Sequence, residues 1–108
     1  MNVTLEMTET NLGAASVRLS VRGDINIHTA MDLRKHLKKL LDPKHEEVHV
    51  DLSGVDFMDS AGIATLVEGL QWSRDSGGRF ILLGLTENVR DIFALAKLDT
   101  VFDIQENQ

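Results

Sequence analysis

With 108 residues, 43% of them hydrophobic and 26% charged, the chain has the composition of a single globular domain spanning residues 1–108 and no length for a second core. Seventeen acids against eleven bases leave a formal net charge of −6, which argues against nucleic acid as the main partner, because phosphate binding needs clustered cations in surplus. The absence of cysteine removes disulfide and thiolate chemistry, no apolar run approaches the roughly 20 residues of a membrane span, and Met1 to Gly13 lacks the pattern of a signal peptide. A cytoplasmic protein without membrane insertion is expected.

Asn2 to Glu9 alternates Val3, Leu5 and Met7 with polar residues, the period of a half-buried strand, and Ser16 to Arg22 repeats it with Val17, Leu19 and Val21. Thr10 to Ala15, holding Asn11 and Gly13, joins the two as a β-hairpin, and Gly23 opens a loop. Thr29 with Asp32 three residues on is a capping-box pattern. Ala30, Leu33, Leu37, Leu40 and Leu41 follow at helical spacing, and Asp42-Pro43 closes that helix. Glu47 to Leu52 is a short strand. Ile63, Leu66, Val67 and Leu70 mark the inward face of a second helix that ends near Gly77 and Gly78. Phe80 to Leu83 reads as a central strand covered on both faces. Thr86 begins a third helix with Val89, Ile92, Phe93 and Ala96 inward, and Val101 to Ile104 is a last edge strand. The order β-β-α-β-α-β-α-β predicts an α/β fold: a mixed, mostly parallel sheet of four to five strands, an N-terminal β-hairpin and three main helices. Three helices leave part of that sheet thinly covered.

The segment DLSGVDFMDSAGIATLVEGL, Asp51 to Leu70, places Ser60 where a strand gives way to a helix, beside Asp56 and Asp59. A nucleophile elbow needs glycine two residues to either side of the serine. Gly62 is present, but Met58 stands in the other place. Of the four histidines only His28 lies in a loop that approaches the serine. His36 and His45 read as solvated and His49 as a strand residue facing away from the core, so no catalytic residue is assigned. No glycine-rich phosphate loop or dinucleotide fingerprint occurs, and no cofactor is expected. Asp56 and Asp59 make only part of a shell for a hard cation and read as helix caps, so no metal site is assigned.

Two readings of the hydroxyl remain. Ser60 or Asp59 is the N-cap of the second helix, or Ser60 is a phosphate acceptor. Phosphorylation adds roughly −1.5 to −2 charges and three acceptor oxygens. A helix N-terminus welcomes that charge by a few tenths to about 1 kcal/mol, whereas a partner presenting a carboxylate or a tight apolar contact does not. Ala61, Gly62 and Gly69 keep the helix surface low, for close packing on the sheet or for close approach by a partner. Phe57 and Met58 read as core plugs, with one of them available as an exposed anchor. Arg34, Lys35, Lys38 and Lys39, with Lys44 after them, are either the solvated face of the first helix or a docking patch for an acidic partner or lipid headgroups.

GDINIHTA, Gly23 to Ala30, and the Asp51 to Leu70 segment resemble the two signature regions of STAS domains, specifically of bacterial anti-sigma factor antagonists. The similarity runs from about Val17 to Ile104. The resemblance implies a small mixed sheet with helices, in agreement with the order read above. It also implies that Ser60 is phosphorylated by an anti-sigma factor with serine-kinase activity and that a phosphatase acting on phospho-Ser60 resets it. The unmodified domain would then hold that kinase and free a sigma factor. Asp24, Asn26, Thr29, Asp56 and Asp59 are implied on or near the contact surface, and Phe57, Met58, Ala61 and Gly62 complete the expected partner-binding set around Ser60. Members of the family usually carry aspartate where this chain has Asn26, which keeps shape and hydrogen bonding but loses charge. Other STAS domains are attached to anion transporters or serve as subunits of bacterial lipid (ABC-type) transport complexes that grip an ATPase or permease. That second role is the alternative reading.

Overall fold

The computed structural model of the protein describes residues 4–41 and 45–106. Chain order is β1 (Glu6–Gly13), β2 (Ser16–Arg22), α1 (Ala30–Leu41), β3 (Glu47–Gly54), α2 (Ser60–Asp75), β4 (Arg79–Leu83), α3 (Glu87–Leu95) and β5 (Asp103–Gln105). The strands form one sheet in the order β1-β2-β3-β4-β5, with β1 antiparallel to β2 and every other pair parallel. The predicted architecture is the observed one. Val3, Asp42, Pro43 and Lys44 lie outside the described residues.

The hairpin is tighter than the sequence suggested. Residues Thr10 to Gly13, assigned there to the turn, continue β1, and only Ala14 and Ala15 connect the strands. The register runs from Glu6 opposite Arg22 to Gly13 opposite Ser16, with an irregularity between Asn11 and Gly13 where the Asn11 carboxamide accepts the Gly13 N–H at 3.0 Å. A turn residue thus stabilises a bulge inside the ladder instead of a loop.

Alternation sorts the strands into two faces. Val17, Leu19 and Val21 of β2, Val48, Val50 and Leu52 of β3, and Phe80 and Leu82 of β4 join the apolar faces of all three helices in one cluster. Phe102 closes its far end, with ring centroids 5.5 Å from Phe93 of α3 and 6.5 Å from Phe80. Ile81 and Leu83 are buried but stand outside that cluster, on the other face. Their neighbours in register there are His49 and Asp51 on β3 and Asp103 and Gln105 on β5. The expectation that β4 is a central strand covered on both faces holds, since Phe80, Ile81, Leu82 and Leu83 are all buried. Phe80 and Leu82 are buried in the cluster shared with the helices, and Ile81 and Leu83 lie on the other side between polar neighbours in register.

The face that α2 buries also differs from the predicted one. Gly62, Thr65, Leu66, Gly69, Leu70 and Ser73 point inward, while Ile63 and Val67 are only half-buried at its margin. Small residues set this rotation. A Cβ at Gly62 would lie 2.6 Å from Met58 Cγ and 2.7 Å from Ile25 Cγ2, and one at Gly69 would lie 3.0 Å from the Phe80 ring. Both glycines serve close packing within the molecule. α3 follows its pattern with Val89 and Phe93 buried, although Ala96 lies exposed at its C-cap.

Parallel pairing brings the C-terminal ends of β2, β3 and β4 to one edge of the sheet. The loops that follow them, residues 23–29, 55–59 and 84–86, therefore meet there, and Ser60 opens α2 on that edge.

Candidate functional site

Two of these loops are bolted together. Ile25 N–H donates to Phe57 O at 3.0 Å, Asp59 N–H donates to Ile25 O at 3.0 Å, and Ile25 and Met58 form a parallel bridge. Thr86 ties in the third loop by donating its hydroxyl to Val55 O at 2.9 Å. The edge that carries Ser60 is thus held by backbone bonds between segments distant in sequence.

Asp59 is the N-cap of α2. Its Oδ1 accepts the N–H groups of Ala61 at 2.9 Å and Gly62 at 3.2 Å, and its Oδ2 reaches across to accept the Ile27 N–H at 3.1 Å. One carboxylate therefore satisfies two orphan donors of the helix and pins the neighbouring loop. This decides between the two sequence readings of the cap: Asp59 takes it, so Ser60 does not. The Ser60 side chain is exposed at the first helical position, and its hydroxyl has no hydrogen-bond partner among the described residues.

The β2–α1 loop is shaped by its own polar side chains. Asn26 Oδ1 accepts from His28 N–H at 2.8 Å and Thr29 N–H at 3.2 Å. Thr29 Oγ1 donates to Asp24 O at 2.7 Å and accepts the Asn26 N–H at 2.9 Å. The capping box expected from Thr29 and Asp32 does not form, because the threonine hydroxyl is turned back into the loop and spent there. The Asn26 side chain acts here as an acceptor, a task its carboxamide oxygen performs as well as a carboxylate would.

The expected partner-binding residues divide by exposure. Asp24, Asp56 and Phe57 are exposed, Phe57 at 48%, and Asn26, Asp59 and Ala61 are half-buried. Thr29 and Met58 are each 2% exposed and Gly62 is buried, so these three build the surface from beneath and offer it no side chain. Of the two, Phe57 is the exposed one and Met58 the core plug. Two surface residues were missed by the sequence reading: Ile27, 72% exposed beside Asp59, and Met31, 54% exposed one turn further on. The loop carries isoleucines at 25 and 27, and the only local hint was that an alternating pair cannot both face inward.

The histidines take no part in a catalytic arrangement around Ser60 among the described residues. His28 is exposed on the loop, and only its backbone N–H is engaged. His36 and His45 are half-buried and bonded, to Glu9 at 2.6 Å and to Leu40 O at 2.9 Å, which corrects their reading as solvated. His49 stands on the polar face of the sheet against Glu47 at 2.6 Å. Among the described residues no three acidic or histidine side chains converge as a metal shell would require. Arg34 of the basic cluster is engaged by Glu68 at 2.9 Å and lies 5.4 Å from the centre of the Trp72 ring.

Residues 8–106 match the family model described as Mlab, STAS domain. The chain is a STAS domain. It is 25% identical over 88 residues to an anti-sigma-B factor antagonist of Staphylococcus epidermidis, covering 82% of each chain. It is 24% identical over 105 residues to the anti-sigma-B factor antagonist of Listeria monocytogenes, covering 97% of this chain and 90% of that one. In three dimensions this STAS domain superposes on the anti-sigma factor antagonist SpoIIAA in its unphosphorylated form with a TM-score of 0.82 at 17% identity, covering 95% of this chain and 89% of SpoIIAA. Phosphorylated SpoIIAA of Bacillus gives a TM-score of 0.76 at 16% identity, with 95% and 92% covered. Likeness at that identity shows the fold. Among the described residues no helix of this STAS domain is long and apolar enough to cross a membrane.

Proposed function

We propose that this STAS domain is an anti-sigma factor antagonist whose hold on its partner is switched by phosphorylation of Ser60. The carrying observation is the division of labour at the head of α2. Asp59 supplies the cap, so the Ser60 hydroxyl is exposed and unengaged, and modifying it costs the fold no hydrogen bond. A phosphoserine there brings roughly −1.5 to −2 charges to an edge that already carries Asp24, Asp56 and Asp59. The positive end of the helix dipole absorbs part of that charge within the domain, while a partner seated on the same edge meets the repulsion. The partner in this reading is an anti-sigma factor with serine-kinase activity, and a phosphatase reverses the mark. Relatives named anti-sigma-B factor antagonist, and SpoIIAA's two forms on a like fold, support it.

The test is phosphate mapping by mass spectrometry after incubation with ATP and the serine kinase recovered on the immobilised chain. Modification at Ser60, its loss in Ser60→Ala, and a drop of about tenfold or more in kinase capture by Ser60→Asp are expected. An unmodified Ser60, together with Ser60→Asp capturing as well as the native chain, rejects the switch. The alternative, a subunit gripping the ATPase or permease of a lipid-transport complex, draws on the exposed lysines of α1. In that case a membrane ATPase or permease co-purifies in place of a soluble kinase.

A further inference from the structure

Three arginines of this molecule are balanced where they stand. Arg34 is paired with Glu68, Arg79 with Glu47 and Asp103, and Arg90 with Glu106. Lys35, Lys38 and Lys39 of α1 are not. They are exposed, clustered, and without an ion pair among the described residues. At 100° per residue they share the outward face of α1 with Met31, opposite Leu33, Leu37 and Leu40. Met31 lies one turn beyond Ile27, whose backbone N–H is held by Asp59 beside Ser60. From Ser60 outward the surface therefore passes over Ile27 and Met31 and then onto three cations, Lys39 standing about 12 Å along the axis from Met31.

We propose that this outward face of α1 is continuous with the Ser60 edge and docks an acidic flank of the partner protein, with Ile27 and Met31 as its apolar centre. The inference rests on the reading of Ser60 as a partner-binding site and names the partner's chemistry. Charge complementarity selects the occupant. In a chain of net charge −6, three unpaired lysines side by side form a local positive field that an acidic flank would neutralise. An anionic membrane fits the lysines less well than a protein flank, because exposed Asp24, in the loop before α1, and Asp32, in its first turn, carry the membrane's own sign, and a flat sheet of headgroups, unlike a shaped acidic segment, has no way round them. An apolar centre with a charged rim is the usual anatomy of a specific protein interface. Phosphate on Ser60 then acts at one end of this surface while the lysines steer from the other.

The probe is a fluorescein-labelled helical peptide with leucines one turn apart followed by glutamates at four-residue steps, measured by anisotropy against a scrambled peptide and against phosphatidylglycerol vesicles. Lysine reversal in K35E/K38E is expected to weaken peptide binding about tenfold or more, and M31D to weaken it similarly. K97E, at the far end of α3, is expected to leave binding unchanged. Amide shifts in the labelled protein should concentrate between Ile27 and Lys39. Binding indifferent to K35E/K38E, or weakened equally by K97E, overturns the proposal. So does lysine-dependent capture by the vesicles with the peptide left free, or self-association abolished by K35E/K38E, which assigns the face to a second copy. Failure of Ser60 phosphorylation with lysine-dependent peptide binding intact refutes the switch alone, and the converse refutes the docking face alone.

Discussion

Replacing Asp59 tests whether one carboxylate organises the working edge. Asp59→Ala removes three acceptor contacts, to Ala61 N–H at 2.9 Å, Gly62 N–H at 3.2 Å and Ile27 N–H at 3.1 Å. Loss of an N-cap costs about 1 kcal/mol. The bond from the Ile27 amide to an ionised acceptor adds about 1 kcal/mol, discounted because water reaches that exposed loop. Loss of the favourable charge at the helix N-terminus adds a few tenths of a kcal/mol. The sum is about 2 kcal/mol, or about 8 °C in Tm at roughly 4 °C per kcal/mol for a chain of this size. Asp59→Asn keeps an oxygen for Ala61 and Gly62 but turns an amide N–H toward the Ile27 N–H, so about 1 kcal/mol is expected to be lost. Urea unfolding followed by fluorescence of Trp72, the single tryptophan of the chain, reads both variants, and amide exchange at Ile27 should accelerate in each. The reasoning is refuted if both variants lie within about 0.5 kcal/mol of the native chain, or if asparagine costs as much as alanine.

Gly62→Ala gains about 1 kcal/mol of helix propensity but forces a Cβ to within 2.6 Å of Met58 Cγ, 2.7 Å of Ile25 Cγ2 and 3.1 Å of Ile25 O. With overpacking costing up to about 3 kcal/mol, a net loss of about 1–2 kcal/mol is expected by the same urea measurement. Gly69→Ala meets the Phe80 ring at 3.0 Å and Leu37 Cδ1 at 3.3 Å, looser contacts than at Gly62, and should lie within about 0.5 kcal/mol of neutral because the gain in helix propensity offsets a shift of a few tenths of an ångström in these two buried side chains. Asn26→Asp preserves the acceptor for His28 and Thr29 and is expected to leave Tm unchanged within about 2 °C, whereas Asn26→Ala takes the acceptor from the His28 N–H, the Thr29 N–H keeping the Asn26 carbonyl at 3.0 Å, and costs about 1 kcal/mol. Thermal melts of the two variants side by side decide the point.

Particular residues show where local pattern succeeded. The alternation of Val17, Leu19 and Val21 and the spacing of Leu33, Leu37 and Leu40 predicted their elements and their buried faces, because each pattern is set by one element's geometry. Ser60 fell at a strand-to-helix passage for the same reason. In α2 the stripe was right for Leu66 and Leu70, which are buried, but Ile63 and Val67, larger and more apolar than Gly62 and Gly69, lie at the margin of the core while the glycines face inward. Hydrophobicity scores a residue by what it buries, whereas Gly62 matters for what it lets Ile25 and Met58 do. Thr29 was read as a cap from its neighbour at 32, but its hydroxyl found nearer partners in Asp24 and Asn26.

The amino-acid order alone determined the succession of strands and helices, the parallel sheet with its added hairpin, and the presence of a serine flanked by acids at the mouth of a helix. Periodicity and capping chemistry are local, and they suffice for that much. Tertiary structure decided which of two adjacent residues caps α2, which of two isoleucines and which of Phe57 and Met58 reach the surface, and that the exposed Ile27 is held beside Asp59. The last of these depends on a meeting between segments about thirty residues apart, the Asp59 carboxylate and the Ile27 amide. A chain pattern does not contain such a meeting until the sheet has brought its loops to one edge.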